Sequence, residues 1–177
     1  MKKLRRVTIF IGALLLIAFA KPNLPGIVIG TILILGGEVI RIWAAGHLRK
    51  NENLTVTGPY AYVKNPLYIG TILITTGFCI LADNVYLLAG ATLSFCFHYI
   101  PYKKRVEGDR LRKIFGSRYD DYDRKVPDYL PRRSPYSEDK ASWSFKAFSE
   151  NSEVGIVLMI VVGLLAIVSR PYWGALF

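Results

Sequence analysis

Residues 25–46 read PGIVIGTILILGGEVIRIWAAG, a run in which only Glu38 and Arg41 carry charge. A helix of that length rises roughly 33 Å, enough to cross the roughly 30 Å of hydrocarbon in a bilayer. Two charges at depth cost at least a few kcal/mol, so each needs a partner or a polar cavity. Their i, i+3 spacing puts them on one helix face, which predicts either an ion pair with each other or a lining for a cofactor or substrate cavity.

Further apolar runs flank this one, at 7–22, 67–82, 85–102 and 154–173. Tight turns join them in pairs. Lys21-Pro22-Asn23-Leu24-Pro25-Gly26 follows the first run and Ala82-Asp83-Asn84 the third, so runs 1–2 and 3–4 read as helical hairpins. The expectation is an all-α, polytopic membrane protein of about five transmembrane helices, with residues 1–177 forming one domain and 103–153 a cytoplasmic helical cap. The first run has a basic start, and Ala18 and Ala20 sit where a signal peptide could be cut; the later spans favour a retained helix.

The net charge is +10 although 52% of residues are hydrophobic, and the two properties are segregated rather than interleaved. Lys2, Lys3, Arg5 and Arg6 precede the first span; Arg49, Lys50 and Lys64 lie between the second and third. Thirteen more fall between Lys103 and Lys146, leaving only Lys21 and Arg170 for the opposite face. The positive-inside rule places the N-terminus and both large connections in the cytoplasm: at the inner membrane in a bacterium, at the endoplasmic reticulum in a eukaryote. Anionic lipid headgroups account for the basicity, and no nucleic-acid motif accompanies it.

Cys79 and Cys96 stand inside apolar runs and read as buried, inert thiols. His47 and His98 have no third ligand at a recognisable spacing, so no metal site is expected. Within the cap, apolar positions from 104 to 125 follow helical spacing with an interruption at Gly116, and Pro127, Pro131 and Pro135 end regular helix. Residues 134–150 are expected to lie on the membrane surface or to lead back into the last span.

Two stretches carry the functional signal. The first is Leu54-Thr55-Val56-Thr57-Gly58-Pro59-Tyr60-Ala61-Tyr62-Val63-Lys64-Asn65-Pro66-Leu67-Tyr68-Ile69-Gly70. Its Gly-Pro and Asn-Pro turns bracket a short segment leading into a helix, and by itself it reads as an aromatic belt with good turn chemistry. The second begins Lys103-Lys104-Arg105-Val106-Glu107-Gly108-Asp109-Arg110-Leu111 and continues with Phe115-Gly116, Tyr119 and Tyr122. Alone it reads as a solvated amphipathic helix.

Together, in this order and separated by one hairpin, the two stretches resemble the isoprenylcysteine carboxyl methyltransferase family, integral membrane enzymes that use S-adenosylmethionine. Leu54, Gly58, Tyr60, Pro66, Tyr68 and Gly70 fall at that family's positions before one span; Glu107, Leu111, Phe115, Gly116, Tyr119 and Tyr122 come after the next, with Arg41-Ile42-Trp43-Ala44 upstream. The resemblance covers roughly residues 36–131. It implies that Leu54, Tyr60, Asn65, Pro66, Leu67, Tyr68 and Glu107 hold S-adenosylmethionine, with Glu52, Asn53 and Thr55 beside Leu54 in a further contacting stretch. Three positions depart. The family's Arg-His is Lys64-Asn65, its second glutamate is Gly108, and its substrate-side arginine is Lys103.

The implied function is methyl transfer to a lipophilic acceptor, a carboxylate or an amine, at the cytoplasmic membrane face, with Lys103 or Arg105 positioning an anionic group. Membrane lipids and a lipophilic small molecule are the expected partners, without nucleic acid or metal; the oligomeric state is open. The alternatives are an NADPH-dependent membrane reductase of sterol-reductase type and a non-catalytic lipid-binding protein.

Overall fold

In the computed structural model, residues 12–49, 53–136, 141–151 and 153–170 are described, those of 98–105 by their backbone alone. Helices are the regular structure among them. A first helix, α1, covers 12–18. After it come α2 (Leu24–His47), a 3₁₀ turn at Gly58–Ala61, α3 (Pro66–Leu81) and α4 (Val85–Ser94). A π-helical turn over Phe95–Tyr99 leads into α5 (Ile100–Phe115), then α6 (Ser117–Lys125), the short α7 (Phe145–Glu150) and α8 (Glu153–Val168).

The boundaries arise from capping chemistry. Asn23 Oδ1 accepts from the Gly26 amide at 2.7 Å to start α2, and Asn84 Oδ1 accepts from Leu87 at 3.0 Å to start α4. Pro25 and Pro66 stand in first turns, where no amide partner is needed. Helix runs from α4 into α5 through the π turn, so the apolar run at 85–102 ends in composition but not in backbone. Such a turn places one extra residue in the helix and re-aims the side chains beyond it.

The α2–α3 contact is backbone against backbone. A Cβ built on Gly37 would stand 2.6 Å from the Gly70 carbonyl oxygen, and one on Gly30 would stand 2.6 Å from that of Gly77. Any side chain there would force the helices apart, which is how small residues let membrane helices approach closely. Ile34, Ile74 and Leu81 flank the seam and pack with Ala20, Ala82, Ile160 and Ile167, drawing α8 onto the pair.

The connections sort to two ends. At one, the Lys21 amide donates to the Ala82 carbonyl at 3.0 Å and Asn23 Nδ2 to Asp83 Oδ2 at 2.9 Å, so the two tight turns touch. At the other end the 53–65 connection meets α6 around a second core of Leu54, Val56, Tyr119, Tyr122 and Val126. Residues 141–151 dock on the end of α2 and lead into α8. Asn151 Nδ2 caps the Ala45 and Leu48 carbonyls at 3.0 and 3.2 Å, and the Trp143 indole donates to Ile42 at 2.9 Å.

Among the described residues α2 alone is both long and apolar enough to cross a bilayer unaided; Pro66–Leu81, Val85–Phe97 and Glu153–Val168 are apolar but shorter. Two expectations are corrected. Cys79 is buried but Cys96 is exposed, because among the described residues no element covers the outer face where α4 passes into the π turn. The second concerns Glu38 and Arg41, which do not pair with each other.

Candidate active site

The site is built where the 3₁₀ turn, the start of α3 and the middle of α5 converge. Gly58 opens the turn with φ +58°, a left-handed conformation that glycine adopts without strain, and its bare Cα lies against the His47 ring. Tyr60 is buried behind it, and its carbonyl accepts from the Tyr122 hydroxyl at 2.8 Å, tying the turn to α6. Burial, reinforced by neighbouring tyrosine hydroxyls, pushes both phenols above their ordinary range. They are neutral hydrogen-bonding groups at any physiological pH.

Lys64 anchors the next few residues. Its Nζ meets Asp123 Oδ1 at 2.7 Å and Asp128 Oδ1 at 3.1 Å, while its backbone amide donates to the Pro127 carbonyl at 2.9 Å. Asn65 is buried at the N-cap of α3, with its amide group 3.4 Å from Asp128. Its backbone carbonyl accepts from the amides of both Tyr68 and Ile69 at 3.1 Å. Pro66 is fully buried, and Tyr68, half-buried, donates its hydroxyl to Glu107 Oε2 at 3.2 Å. That bond joins the two sequence stretches.

Not every implied residue takes the same place. Tyr68 and Glu107 bring polar atoms together, while the Asn65 amide turns to Asp128; Leu54 and Tyr60 are sealed in packing, as walls of the turn. Leu67 contributes its carbonyl to Arg41. Gly108 has open space, with the Tyr119 hydroxyl 3.7 Å from where a Cβ would stand. Lys103 and Arg105 lie on α5, but their side chains fall outside the described residues, as does Glu52.

A profile of the phospholipid methyltransferase family matches residues 25–118. The chain belongs to this family. The match runs from α2 across the first stretch and most of the second, ending at the start of α6 before Tyr119 and Tyr122. Among curated proteins, the chain is 35% identical over 119 residues to protein-S-isoprenylcysteine O-methyltransferase of Xenopus laevis, covering 59% of this chain and 40% of that one. It is 27% identical over 151 residues to the nickel-cobalt-cadmium resistance protein NccN of Alcaligenes xylosoxydans, covering 82% and 70%. To the cobalt-zinc-cadmium resistance protein CzcN of Cupriavidus metallidurans it is 30% identical over 106 residues, covering 59% and 48%. The chain thus spans less than half the length of two of these relatives. No solved structure matches.

Family membership makes the chain methyltransferase-like and joins it to proteins resembling the isoprenylcysteine enzymes. Several residues that organise the site carry no motif signal. Asp123 and Asp128 hold Lys64, and Glu153 is the partner of Arg41. Glu153 opens an apolar run, and a carboxylate in that place is a readable sign of a buried partner. The aspartates lie in a stretch of alternating charge and have no such mark. Among the described residues no group of three or more His, Cys, Asp or Glu is arranged to hold a metal ion.

Proposed function

We propose that the chain is a membrane methyltransferase that takes a methyl group from S-adenosylmethionine and delivers it to a lipophilic acceptor at the cytoplasmic face. The observation that carries this reading is the Tyr68–Glu107 hydrogen bond, which unites the start of α3 with α5 inside the family match. When bound, S-adenosylmethionine supplies an electrophilic methyl group on a sulfonium.

The chain's own residues suit that group. A carboxylate such as Glu107 accepts hydrogen bonds from ribose hydroxyls or an amino group and favours a nearby cation. Tyr68 orients the carboxylate, and its ring offers a face to a cationic centre. The Asn65 amide, fixed at the head of α3 by Pro66, offers both a donor and an acceptor. Leu54 and Tyr60 back the turn and keep its geometry. Displacement at a methyl carbon needs alignment and exclusion of water more than acid–base assistance. A carboxylate acceptor needs no proton removed, whereas an ammonium acceptor must first lose one. Lys103 or Arg105 would hold an anionic group on the acceptor.

A five-span membrane topology accompanies this function. It is supported by the outward apolar faces, with Ile32, Leu35 and Val39 exposed on α2 and Leu158, Val162 and Leu165 on α8, a distribution suited to lipid. Its orientation is tested by labelling Leu130→Cys and Asp83→Cys in a cysteine-free background in sealed cells. Outside labelling at position 130 would overturn it. The function is tested with detergent-purified protein offered radiolabelled S-adenosylmethionine or NADPH. Retention of the first supports the reading; retention of NADPH alone would favour the reductase.

A further inference from the structure

Arg41, on α2, divides its guanidinium between two other helices, α3 and α8. Nη2 meets Glu153 Oε1 and Oε2, both at 2.8 Å, and Nε meets Oε2 at 3.2 Å, a forked grip on the first residue of α8. Nη1 donates to the Leu67 carbonyl at 3.2 Å and to Thr71 Oγ1 at 2.6 Å. Thr71 in turn donates to the same Leu67 carbonyl at 2.9 Å. The first turn of α3, which carries Pro66, Leu67 and Tyr68, is therefore held from below by a cation that α8 holds in place.

Glu38 stands three residues before Arg41 on the same helix. It is only 8% exposed, and neither of its carboxylate oxygens has a hydrogen-bond partner. An i, i+3 neighbour is within reach of Arg41, yet every nitrogen of the guanidinium faces elsewhere. A buried carboxylate without a donor is costly, so Glu38 is an acceptor waiting for a cation.

We propose that Glu153 is a positioning residue for the donor-binding turn, acting through Arg41, and that Glu38 competes for Arg41 whenever Glu153 releases it. With Glu153 engaged, Nη1 points at Leu67 and Thr71 and the turn is fixed. With Glu153 lost, Nε and Nη2 are freed, the guanidinium swings back to Glu38, and Nη1 leaves the Leu67 carbonyl. Glu153 lies beyond residue 118, where the family match ends, so a segment outside that match tunes the site within it. The inference rests on the reading that residues 65–68 and Glu107 hold S-adenosylmethionine.

The test uses the full chain in lipid nanodiscs. S-adenosylmethionine affinity and hydrogen exchange at the Tyr68 and Ile69 amides are measured for wild type, Glu153→Gln, and Glu153→Gln combined with Glu38→Gln. Glu153→Gln is expected to raise the Kd about tenfold or more and to speed exchange at both amides. Adding Glu38→Gln is expected to bring both readings back toward wild type by removing the competing acceptor. A merely stabilising Glu153 would instead lower Tm while leaving the affinity of the folded fraction unchanged, and the double variant would bind no better than the single; either result overturns the proposal. If Glu153→Gln does not fold, Glu153→Asp keeps the charge with a shorter reach, and unchanged amide exchange in that variant is equally fatal. A wild type that binds no S-adenosylmethionine would defeat the function reading, and the exchange data would still decide whether Glu153 controls the turn.

Discussion

Replacing Tyr122 by Phe removes one oxygen from the most buried joint between the cap and the 3₁₀ turn. Its hydroxyl donates at 2.8 Å to the Tyr60 carbonyl, and the side chain lies in the second core with Leu54, Val56 and Val126. The ring itself would stay, still edge-on to Tyr136 with centroids 5.3 Å apart, so little packing is lost. The cost is then that of a buried carbonyl deprived of its donor, about 1–3 kcal/mol. In a chain of this size that corresponds to a fall of several degrees in Tm, measured on the detergent-purified protein. Tyr136→Phe is the matched control: it loses a 2.7 Å bond to Asp121 at the partly buried edge of the same core, where Asp121 keeps Lys125 and water can reach it, so the loss should be smaller, about 0.5–1 kcal/mol. Tyr122→Phe should also weaken binding of S-adenosylmethionine, because the turn it secures runs directly into Asn65 and Pro66. Equal losses from the two variants, or no loss from Tyr122→Phe, would refute the claim that burial makes this bond matter.

Glu107→Ala should weaken S-adenosylmethionine binding by roughly ten- to a hundredfold without unfolding the protein; calorimetry on folded mutant decides it. Gly37→Leu should destabilise the α2–α3 pair by about 1–3 kcal/mol or more, since the new side chain meets the Gly70 carbonyl, and a thermal melt equal to wild type would contradict the seam. Tyr119, raised by burial and then by Asp123 to about 12, gives a pH dependence of definite sign. Its folded state keeps the proton longer than the unfolded state, so the stability is complete below the ordinary tyrosine range near pH 10 and is lost as pH rises through about 12. Tyr119→Phe should remove that alkaline loss in an absorbance titration of the phenolates. Lys103→Ala should raise the acceptor KM with little change in donor affinity, measured by methyl transfer to extracted membrane lipids and, separately, to a farnesylcysteine analogue.

The apolar runs locate α2, α3 and the start of α8 within about a residue, because hydrophobic composition and capping residues are local properties. The break at Gly116 and the end of helix before Pro127 are legible for the same reason. That Tyr68 and Glu107 serve one site is implied only by the pairing of two stretches, since each stretch alone has a bland reading; the bond between them appears only in the fold. Partner choice is not legible at Arg41. Spacing offers Glu38, but the folded chain supplies Glu153, 112 residues away, in forked geometry. Likewise Lys64 reads as part of a basic face until the aspartates of α6 and the loop after it fold over it. Cys96 shows a limit of composition: an apolar run says that a residue avoids water, not whether protein covers it.

The glycines of α2 and α3 repeat at the same interval, Gly30 with Gly37 and Gly70 with Gly77, each pair two helical turns apart. Because the helices run in opposite directions, Gly30 faces Gly77 and Gly37 faces Gly70, and the two intervals have to agree for both crossings to close. Such agreement works like a pair of dowels. One fixes a separation, but two fix the relative slide of the rods as well. The pegs set how far along α2 the first turn of α3 sits, and so set Thr71 and the Leu67 carbonyl at the level of Arg41. A one-residue insertion between Gly70 and Gly77 would leave every donor and acceptor intact and still carry them past one another.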